Sequence, residues 1–361
     1  MGKKNKRRES NAYPKRATAT VSRKAEHVDL VVANNVSHRH ASGFEALRFE
    51  HNALPELSLT EIDTSTLFFG KHLDAPLLIS SMTGGYDEAE KINGALARAA
   101  RKFGLAIGIG SARQALENKK FHKSFSVVRK EHPDGLVFSN IGGVEVAALN
   151  ASGKIDSLER IVELVQADAL IVHLNPLQEL MQPEGARDFR GVLAGIEAAA
   201  KHLHVPIIAK EVGAGISQSV AKRLLDSGVL AIDVAGSGGT SWAGVEILRR
   251  SSASRSTFEQ FWDWGIPTVD ALRAVKELRE SMTFGLIASG GIRSGVDVAK
   301  SIALGADLAG MAQPLIKSLA DHGESALVDH VEAILTQLRM SMLLCGAKTT
   351  TELAKQVLYT V

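Results

Sequence analysis

The sequence Asp168-Ala169-Leu170-Ile171-Val172-His173-Leu174-Asn175-Pro176-Leu177-Gln178-Glu179 passes from an apolar run directly into a group of polar side chains. The apolar part predicts a buried strand, and an imidazole, two amides and a carboxylate follow it. In a (β/α)₈ barrel the chemistry takes place at the carboxyl ends of the strands. The stretch therefore predicts a barrel strand that ends at an active site.

The same unit of strand, turn and helix recurs along the chain from about residue 76. It recurs every few tens of residues, with one longer gap after the sixth strand. Near-continuous apolar runs of this kind are typical of parallel strands that are buried on both faces. The eight predicted strands are Pro76–Ser81, Leu105–Gly110, Leu136–Asn140, Ala169–His173, Pro206–Glu211, Ala231–Ala235, Gly285–Ser289 and Leu308–Ala312.

Amphipathic patterns between the strands predict helices, several of which end at a glycine, as helices commonly do. The pattern favours an α/β fold of the (β/α)₈ or TIM barrel type. A doubly wound open sheet is the alternative, but it rarely has eight regular repeats without a reversal of strand order. Predicted helices include Asp87–Lys102, Ser157–Val165, Asp188–Lys201, Ser217–Leu225 and Val296–Leu304, and the terminal glycines are Gly104, Gly228 and Gly305.

Two segments lie outside the repeat. Residues 25–75 form an N-terminal extension with some strand and loop character, and Trp242–Thr268 is a long insertion after the sixth strand. Loops of this length usually form lids or partner contacts. The insertion contains all three tryptophans, for which we expect core packing, with an active-site wall or a subunit contact as the alternative. We predict one domain over residues 23–361.

The first 24 residues are strongly basic, with nine Lys or Arg against the single acid Glu9. Because blocks of like charge are typically solvated, we predict a disordered tail over residues 1–22, with weak attraction to an anionic surface as the alternative. Arg23 and Lys24 differ, because an apolar segment follows them. We interpret them as an ordered arm that brings two cations to a phosphate, in the same chain or in a neighbouring one.

Overall composition excludes several classes of protein. The net charge of +2 gives no argument for a nucleic-acid partner. Cys345 is the single cysteine, so an intramolecular disulfide is excluded, and the sequence has no run of about 18 apolar residues and no signal-like start. We therefore expect a cytoplasmic protein without stable membrane insertion.

The turns after the last strands indicate a phosphate site. Gly238-Gly239-Thr240 and Gly290-Gly291-Ile292-Arg293 let backbone N–H groups approach an anion closely, and each turn leads into a helix. Arg293 adds a fixed cation. Because barrels frequently bind phosphate after strands seven and eight, we predict a phosphate group on a cofactor or substrate.

Lys210 ends the fifth predicted strand, so its side chain should lie over the barrel mouth. It could be a Schiff-base nucleophile, a counter-ion to an electron-rich ring, or a rim lysine paired with Glu211 or another neighbour. Asn140 and Ser81-Met82-Thr83 lie on the same predicted rim. They favour the ring, since a flavin with its phosphate in the late loops would extend over the early strands.

Several motifs resemble those of the type 2 isopentenyl diphosphate isomerases, which are FMN-dependent (β/α)₈ enzymes. The resemblance runs from Arg23 to about Ala312, and His173–Glu179 is highly specific to that family, whereas the glycine motifs occur in other FMN barrels. The motifs are Ser81–Gly85, Gly110–Arg113, His173–Glu179, Lys210–Gly213, Gly238–Ser241, Phe261–Thr268 and Gly290–Arg293.

The resemblance implies roles for individual residues. FMN would be bound by Ser81, Met82, Thr83, Ser111, Asn140, Lys210, Thr240, Gly291, Ile292, Arg293, Ala312 and Gln313. The substrate would be surrounded by Arg23, Lys24, Ser111, Arg113, His173, Asn175 and Gln178. Glu179 would bind Mg²⁺, which prefers carboxylate oxygens together with those of a diphosphate. Gln313 stands where the family commonly has glycine. A contact between its backbone and the flavin phosphate would tolerate this difference.

The implied reaction converts isopentenyl diphosphate into dimethylallyl diphosphate. A proton is added to one alkene carbon and another is removed from the allylic neighbour, and the family uses FMN reduced by NADPH for this without net redox change. We hypothesise that Gln178 positions the hydrocarbon or relays a proton, and that His173 is mainly a diphosphate ligand. Because family members are tetramers or octamers, a homo-oligomer is expected.

Other functions are weaker matches to the sequence. An inosinate-type dehydrogenase needs a nucleophilic cysteine in a strand-end loop, whereas Cys345 lies in the C-terminal helical region. A 2-hydroxy acid oxidase must hold a carboxylate, which Glu179 would repel. A phosphate-ligand sensor without catalysis would not need a metal ligand, several cations and a ring site together.

Overall fold

The computed structural model describes residue 24 and residues 26–361, apart from the side chains at 252 and 253. The predicted basic tail and Arg23 lie outside the described residues. Within them, the N-terminal extension begins with helix α1, residues 26–33, and continues through three short strands. These strands are β1 (Leu47–Phe49), β2 (Thr66–Phe68) and β3 (Lys71–Leu73), of which β2 and β3 form an antiparallel hairpin.

Over residues 26–361, eight parallel strands close into a barrel, as the repeat predicts. Consecutive strands are neighbours, and the last pairs with the first. The barrel strands are β4 (Leu77–Ile79), β5 (Ala106–Gly108), β6 (Val137–Gly142), β7 (Ala169–Leu174), β8 (Ile207–Glu211), β9 (Ala231–Asp233), β10 (Gly285–Ser289) and β11 (Leu308–Met311). A final strand, β12 (Leu358–Thr360), pairs antiparallel with β1.

The register of three barrel strands places functional side chains at one level. His173 on β7 lies opposite Lys210 on β8, and Lys210 lies opposite Asp233 on β9. Partners in a parallel pair share a face of the sheet, because side chains alternate along each strand. The three side chains therefore form one layer near the carboxyl end of the barrel.

Helices surround the barrel, and the five predicted helices are confirmed with small shifts at their ends. The largest shift is at α8, which begins at Val192 because Gly191 adopts φ 80° and Asp188 pairs with Arg190. The helices are α2 (Ala89–Lys102), α3 (Arg113–Glu117), α4 (Lys123–Glu131), α5 (Gly143–Ala151), α6 (Ser157–Leu164), α7 (Pro176–Met181), α8 (Val192–His202), α9 (Gln218–Asp226), α10 (Trp242–Leu248), α11 (Ser252–Phe258), α12 (Thr268–Lys276), α13 (Gly295–Ala303), α14 (Gln313–Cys345) and α15 (Thr350–Leu353). Short 3₁₀ helices span Phe44–Ala46, Leu59–Glu61, Lys119–Phe121, Glu259–Phe261 and Glu277–Glu280.

Glycines set several helix ends. Gly104, Gly228 and Gly305 adopt φ values of 58°, 91° and 101°, the left-handed conformation expected after a helix. Gly323, with φ 83° and ψ −175°, breaks α14 into two helical parts. Across the part of the chain that the structure describes, no helix combines the length and the apolar character needed to cross a membrane.

The barrel interior is a packed core that the β2–β3 hairpin closes at the amino ends of the strands. Phe68 of the hairpin packs on Phe138 of β6, with ring centroids 6.3 Å apart, and contacts Gly285 at the start of β10. Leu73 joins the same buried cluster. The opposite, carboxyl end of the barrel therefore carries the site.

The insertion after β9 is largely helical, and its three tryptophans have different environments. Trp262 is buried, as expected, whereas core packing was the wrong expectation for Trp264, which is 62% exposed. Trp242 lines the cavity at the barrel mouth. Trp242 thus forms part of the cavity wall, and its role in an active site stays a prediction.

Candidate active site

A cavity of about 280 Å³ opens at the carboxyl ends of the barrel strands. Arg23 lies outside the described residues, and the other residues predicted for the site all line this cavity. They are Lys24, Ser81, Met82, Thr83, Ser111, Arg113, Asn140, His173, Asn175, Gln178, Glu179, Lys210, Thr240, Gly291, Ile292, Arg293, Ala312 and Gln313. The strand-end pattern thus locates the cavity wall, while the roles of these residues stay predictions.

The glycine-rich turns after β9 and β10 pack directly against each other. A Cβ atom on Gly239 would lie 2.5 Å from the backbone nitrogen of Gly291, so only glycine permits this approach. Arg293 Nη2 donates to the carbonyl oxygen of Gly238 at 3.2 Å, and Ser294 caps α13. A helix N-terminus, backbone N–H groups and a guanidinium together make this side of the cavity suited to an anion.

Lys210 forms a buried network on the floor of the cavity. Its Nζ lies 3.3 Å from Asp233 Oδ2 and donates to Ser289 Oγ at 3.4 Å. Ser289 Oγ in turn donates to Asp233 Oδ1 at 2.6 Å. The ion-pair partner of Lys210 is thus Asp233, while the Glu211 carboxylate accepts backbone N–H groups of its own loop.

His173 is held as a neutral imidazole. Its Nδ1 lies 2.9 Å from Asn140 Oδ1, which can only accept, so Nδ1 carries the proton and Nε2 has a free lone pair. Burial lowers the pKa of His173 to about 4. The negative charge of Glu145 opposes this shift, and the positive charge of Lys210 adds to it. An anionic ligand would accept a hydrogen bond from Nε2 only after that atom takes up a proton.

Arg113 is paired with an acid that the sequence analysis missed. Its Nη1 donates to Glu145 Oε1 at 2.7 Å, and its Nε lies 3.7 Å from Glu117. Burial opposes the ionised form of Glu145, but the positive charge of Arg113 holds the pKa of Glu145 below its usual value. Glu145 lies in the first turn of α5, directly after the end of strand β6. This position after a strand end could have predicted Glu145 as a site residue.

Asn175, Gln178 and Glu179 are positioned by the start of α7, which Pro176 initiates. Asn175 Nδ2 donates to Gln178 Oε1 at 3.1 Å and to Glu179 Oε1 at 3.2 Å. Among residues 24 and 26–361, no group of three or more His, Cys, Asp or Glu forms a metal site. Glu179 would thus contribute a single carboxylate, which suits a Mg²⁺ that is also held by substrate oxygens.

The N-terminal arm covers the cavity of its own chain. Lys24 Nζ donates to the carbonyl oxygens of Gly84 and Ser111 at 2.7 and 2.9 Å. One turn along α1, His27 Nε2 lies 2.9 Å from Glu246 Oε1, and Gln178 Nε2 donates to the same oxygen at 3.4 Å. The arm therefore brings a cation and an imidazole to the site.

Asp233 and Glu246 were also missed by the sequence analysis. Both have no solvent exposure. A signal was available for Asp233, since an acid inside an apolar strand must have a buried partner. Glu246 lies on α10 within the long insertion, and its place beside Gln178 depends on tertiary packing that the sequence pattern does not contain.

The cavity has a set of groups that suits a bound flavin. Ser80 and Ser81 line it, and their hydroxyl groups are buried and have no hydrogen-bond partner among the described residues. Lys210 provides a cation on the cavity floor, and the glycine-rich turns provide an anion site at one side. A ring with polar edges and a phosphate fits this set of donors.

Comparison with known proteins agrees with this geometry. The model of the FMN-dependent dehydrogenase family matches residues 16–121 and 185–360. An isopentenyl-diphosphate delta-isomerase of Chlorobium phaeovibrioides is 48% identical over 345 residues, which cover 93% of this chain and 96% of that protein. One of Stutzerimonas stutzeri is 50% identical over 329 residues, covering 91% and 93%.

Solved structures with the same fold include flavin-dependent oxidases. A mandelate oxidase variant with a monooxide FMN adduct superposes with a TM-score of 0.66 at 20% identity, covering 95% of this chain and all of that one. A mandelate oxidase with (S)-2-phenylpropionate gives a TM-score of 0.64 at 18% identity, covering 95% and 98%. At this identity the likeness concerns the fold alone.

Proposed function

The chain belongs to the FMN-dependent dehydrogenase family and, within it, to the isopentenyl-diphosphate delta-isomerases, and we propose that it uses reduced FMN and Mg²⁺ to convert isopentenyl diphosphate into dimethylallyl diphosphate. The observation that carries the proposal is a cavity with cationic side chains on two of its sides. Arg293 and the glycine-rich turns form one side, and Lys24 with Arg113 forms the other. A flavin phosphate and a substrate diphosphate would each occupy one side.

The cofactor would be held by the cavity residues assigned to it above, from Ser81 on the early strands to Gln313 after β11. Lys210 would contact the cofactor as a cation whose position Asp233 and Ser289 fix. When bound and reduced by NADPH, FMN supplies the acid and the base for the double-bond shift. The protein's part is to orient the substrate and to exclude water from the reacting carbons.

The diphosphate would be bound by cations and Mg²⁺. Arg23, Lys24 and Arg113 supply positive charge, and Glu179 would hold the metal against the diphosphate oxygens. Bound negative charge favours protonation of His173, which could then donate through Nε2. Arg113 would be oriented for this contact by Glu145, which already accepts one of its N–H groups.

Gln178 would lie nearest to the reacting carbons. Its amide is oriented by Asn175 on one side and by Glu246 on the other. Because an amide has a pKa far from neutral, it would position the hydrocarbon or relay a proton without being the acid itself. Val28 and Val31 of α1 line the cavity with Trp242, and they would keep water from the hydrocarbon chain.

The proposal extends to the setting of the enzyme. A cytoplasmic location matches the need for NADPH, and a homo-oligomer, tetramer or octamer, follows from the family resemblance. Multi-angle light scattering of the full chain measures the oligomer directly. Residues 23–361 are proposed to form its single domain.

The direct test is an isomerase assay in D₂O. The full chain, loaded with FMN, is incubated with isopentenyl diphosphate, NADPH and Mg²⁺ without oxygen, and the product is followed by NMR. We expect dimethylallyl diphosphate that carries deuterium, and we expect no product when NADPH is omitted or when EDTA is added.

Two results would contradict the proposal. Anaerobic bleaching of the bound flavin by a 2-hydroxy acid would indicate an oxidase, the chemistry of the structural neighbours. Binding of isopentenyl diphosphate without any conversion under reducing conditions would indicate a sensor.

A further inference from the structure

A segment of the N-terminal extension lies against the glycine-rich turns. Residues 36–43, here called the strap, run antiparallel to the turn after β9. Ser241 N donates to Val36 O at 2.8 Å, and His38 N donates to Gly239 O at 2.8 Å. These two bonds enclose the pairing of Ser37 with Thr240. The strap is thus hydrogen-bonded to the turn on both sides of Thr240.

The pairing determines which way the turn's free backbone groups point. Ser37 and Thr240 form a non-hydrogen-bonded antiparallel pair, in which each residue's own N–H and C=O point away from the other strand. The N–H of Thr240 therefore lies on the side away from the strap. Thr240 and Gly239 both line the cavity, and the strap does not use this donor.

His38 strengthens this arrangement with its side chain. Its Nδ1 lies 3.1 Å from Gly239 O, the oxygen that already accepts the backbone N–H of His38. Because a carbonyl oxygen only accepts, Nδ1 carries a proton and donates. Two donors from one residue occupy both lone pairs of that oxygen and fix the plane of the Gly239–Thr240 peptide.

Ser42 joins the two turns to each other. It has no solvent exposure, and its Cα would lie 2.3 Å from a Cβ on Gly238, while its Cβ would lie 2.6 Å from a Cβ on Gly291. Its carbonyl oxygen accepts from Val269 N at 3.1 Å. The close contacts leave no room for either turn to move toward the strap.

Arg293 is held from the same side. Its Nη2 donates to Gly238 O at 3.2 Å and to Ser37 Oγ at 3.5 Å. The strap thus contacts three components of the anion site: the turn after β9, the turn after β10 and the guanidinium. A site that depends on several N–H groups loses affinity when its backbone is free to rearrange.

We propose that the strap is a positioning element for the cofactor phosphate, and that His38 is its main positioning residue. This inference rests on the proposed binding of FMN phosphate at these turns. It predicts that His38 contributes to the preference for FMN over riboflavin, which lacks the phosphate, and not to binding of the ring.

The test measures affinities of the deflavinated full chain for FMN and for riboflavin by flavin fluorescence. We expect His38→Ala to weaken FMN binding about three- to tenfold, the range for one lost hydrogen bond, and to leave riboflavin binding within about twofold. His38→Asn should restore most of the preference, because its amide N–H can replace Nδ1–H. Ser37→Ala should cause a smaller loss for FMN alone.

His40 provides the matched control, because its ring packs beside that of His38 with centroids 5.3 Å apart, but its nitrogens lie by Ala41 O and Asp263 O and not by the turns. His40→Ala should leave the ratio of the two affinities unchanged. If His38→Ala binds FMN and riboflavin equally more weakly, and His38→Asn does not restore the affinities, His38 has a merely structural role and the proposal is overturned. Should His38→Ala not fold, His38→Leu, which also removes the donor, is measured together with Ser37→Ala, and an unchanged ratio in both would overturn the proposal too.

The wild-type chain separates this proposal from the one on which it rests. If it binds FMN and riboflavin equally well, both the cofactor placement and the role of the strap are wrong. If it prefers FMN and no strap variant changes that preference, the cofactor placement stands and the role of the strap is wrong.

Discussion

The Nζ atom of Lys210 lies 3.3 Å from Oδ2 of Asp233, a carboxylate with no solvent exposure, and Ser289 Oγ donates to the other carboxylate oxygen at 2.6 Å. Asp233 thus cancels much of the charge that Lys210 would otherwise present to a ring in the cavity. A buried pair of this kind is costly to break from one side, because the remaining charge is left without a partner.

Asp233→Asn should raise the midpoint potential of the bound flavin. The substitution removes the negative charge that is paired with Lys210 at the cavity floor, so the electron-rich reduced form of a bound flavin would become more stable. A single charge interaction at an effective dielectric of about 20 is worth roughly one to two kcal/mol at cofactor distances, or about 20 to 40 mV for a two-electron couple. Spectroelectrochemical titration of the holoenzyme measures the shift.

Ser289→Ala is the control for Asp233→Asn. It removes the hydrogen bond to Asp233 and leaves both charges in place, so the potential should change by a smaller amount. A potential in Asp233→Asn equal to or below that of the wild type would show that the Lys210–Asp233 pair does not act on the ring.

Gln178→Ala should lower kcat by about a hundredfold or more, within the range for a group that assists proton transfer, with little change in KM. His173→Ala should mainly raise KM, because His173 is proposed to bind the diphosphate. Deuterium incorporation into dimethylallyl diphosphate in D₂O follows both variants. Unchanged turnover in both would remove these two residues from the mechanism.

Glu179→Gln should raise the Mg²⁺ concentration needed for half-maximal rate by at least about tenfold. The variant keeps the shape of the side chain but removes a unit charge, whose contact interaction is worth several kcal/mol at an effective dielectric of about 20. Glu184→Gln is the matched control, since Glu184 is a nearby carboxylate that pairs with Arg249. The same Mg²⁺ dependence in both variants would place the metal elsewhere.

The sequence predicted the barrel and most of the cavity wall for a physical reason. A strand buried on both faces must be apolar along its length, so the change to polar residues after Val172 or Ala209 marks its end. In a parallel barrel all such ends meet at one rim. Residues that follow strands, such as His173 and Lys210, are therefore brought together by topology alone.

Residues outside this pattern could not be placed in the same way. Glu246 and His38 reach the site from the insertion and the extension, and their positions depend on how these segments pack on the barrel. Local periodicity contains no information on that packing. The prediction that the 25–75 segment is an extension with strand and loop character was too coarse to show that it braces the turns.

His173 should make the stability of the substrate-free holoenzyme depend on pH. Its pKa is lowered to about 4 in the folded state, from about 6.5 in an unfolded chain, so between these values the unfolded state binds more protons. The contribution of neutral His173 to the free energy of unfolding is present above about pH 6.5 and is lost as the pH falls toward 4. At 1.36 kcal/mol per pKa unit, the loss reaches up to about 3 kcal/mol. Urea unfolding at pH 5 and pH 7 measures it.

His173→Gln is the comparison for the pH experiment. It retains an amide that can donate to Asn140 but does not titrate, so the loss of stability between pH 7 and pH 5 should be smaller than in the wild type. An equal loss in both proteins would show that other groups account for the pH dependence and that His173 is already protonated or solvated.

Phe68 tests whether the hairpin at the amino end of the barrel is part of the folding core. Phe68 is 4% exposed and packs on Phe138, whereas its neighbour Leu67 is 68% exposed. Phe68→Ala should lower the free energy of unfolding by about 3 to 5 kcal/mol, as expected for a large buried ring, and Leu67→Ala by less than about 0.5 kcal/mol. Urea unfolding of both variants gives the two values. Because the hairpin lies at the opposite end of the barrel from the cavity, Phe68→Ala should keep its FMN affinity under native conditions. A loss of FMN affinity in this variant would show that packing at the amino end of the barrel affects the cavity at the carboxyl end.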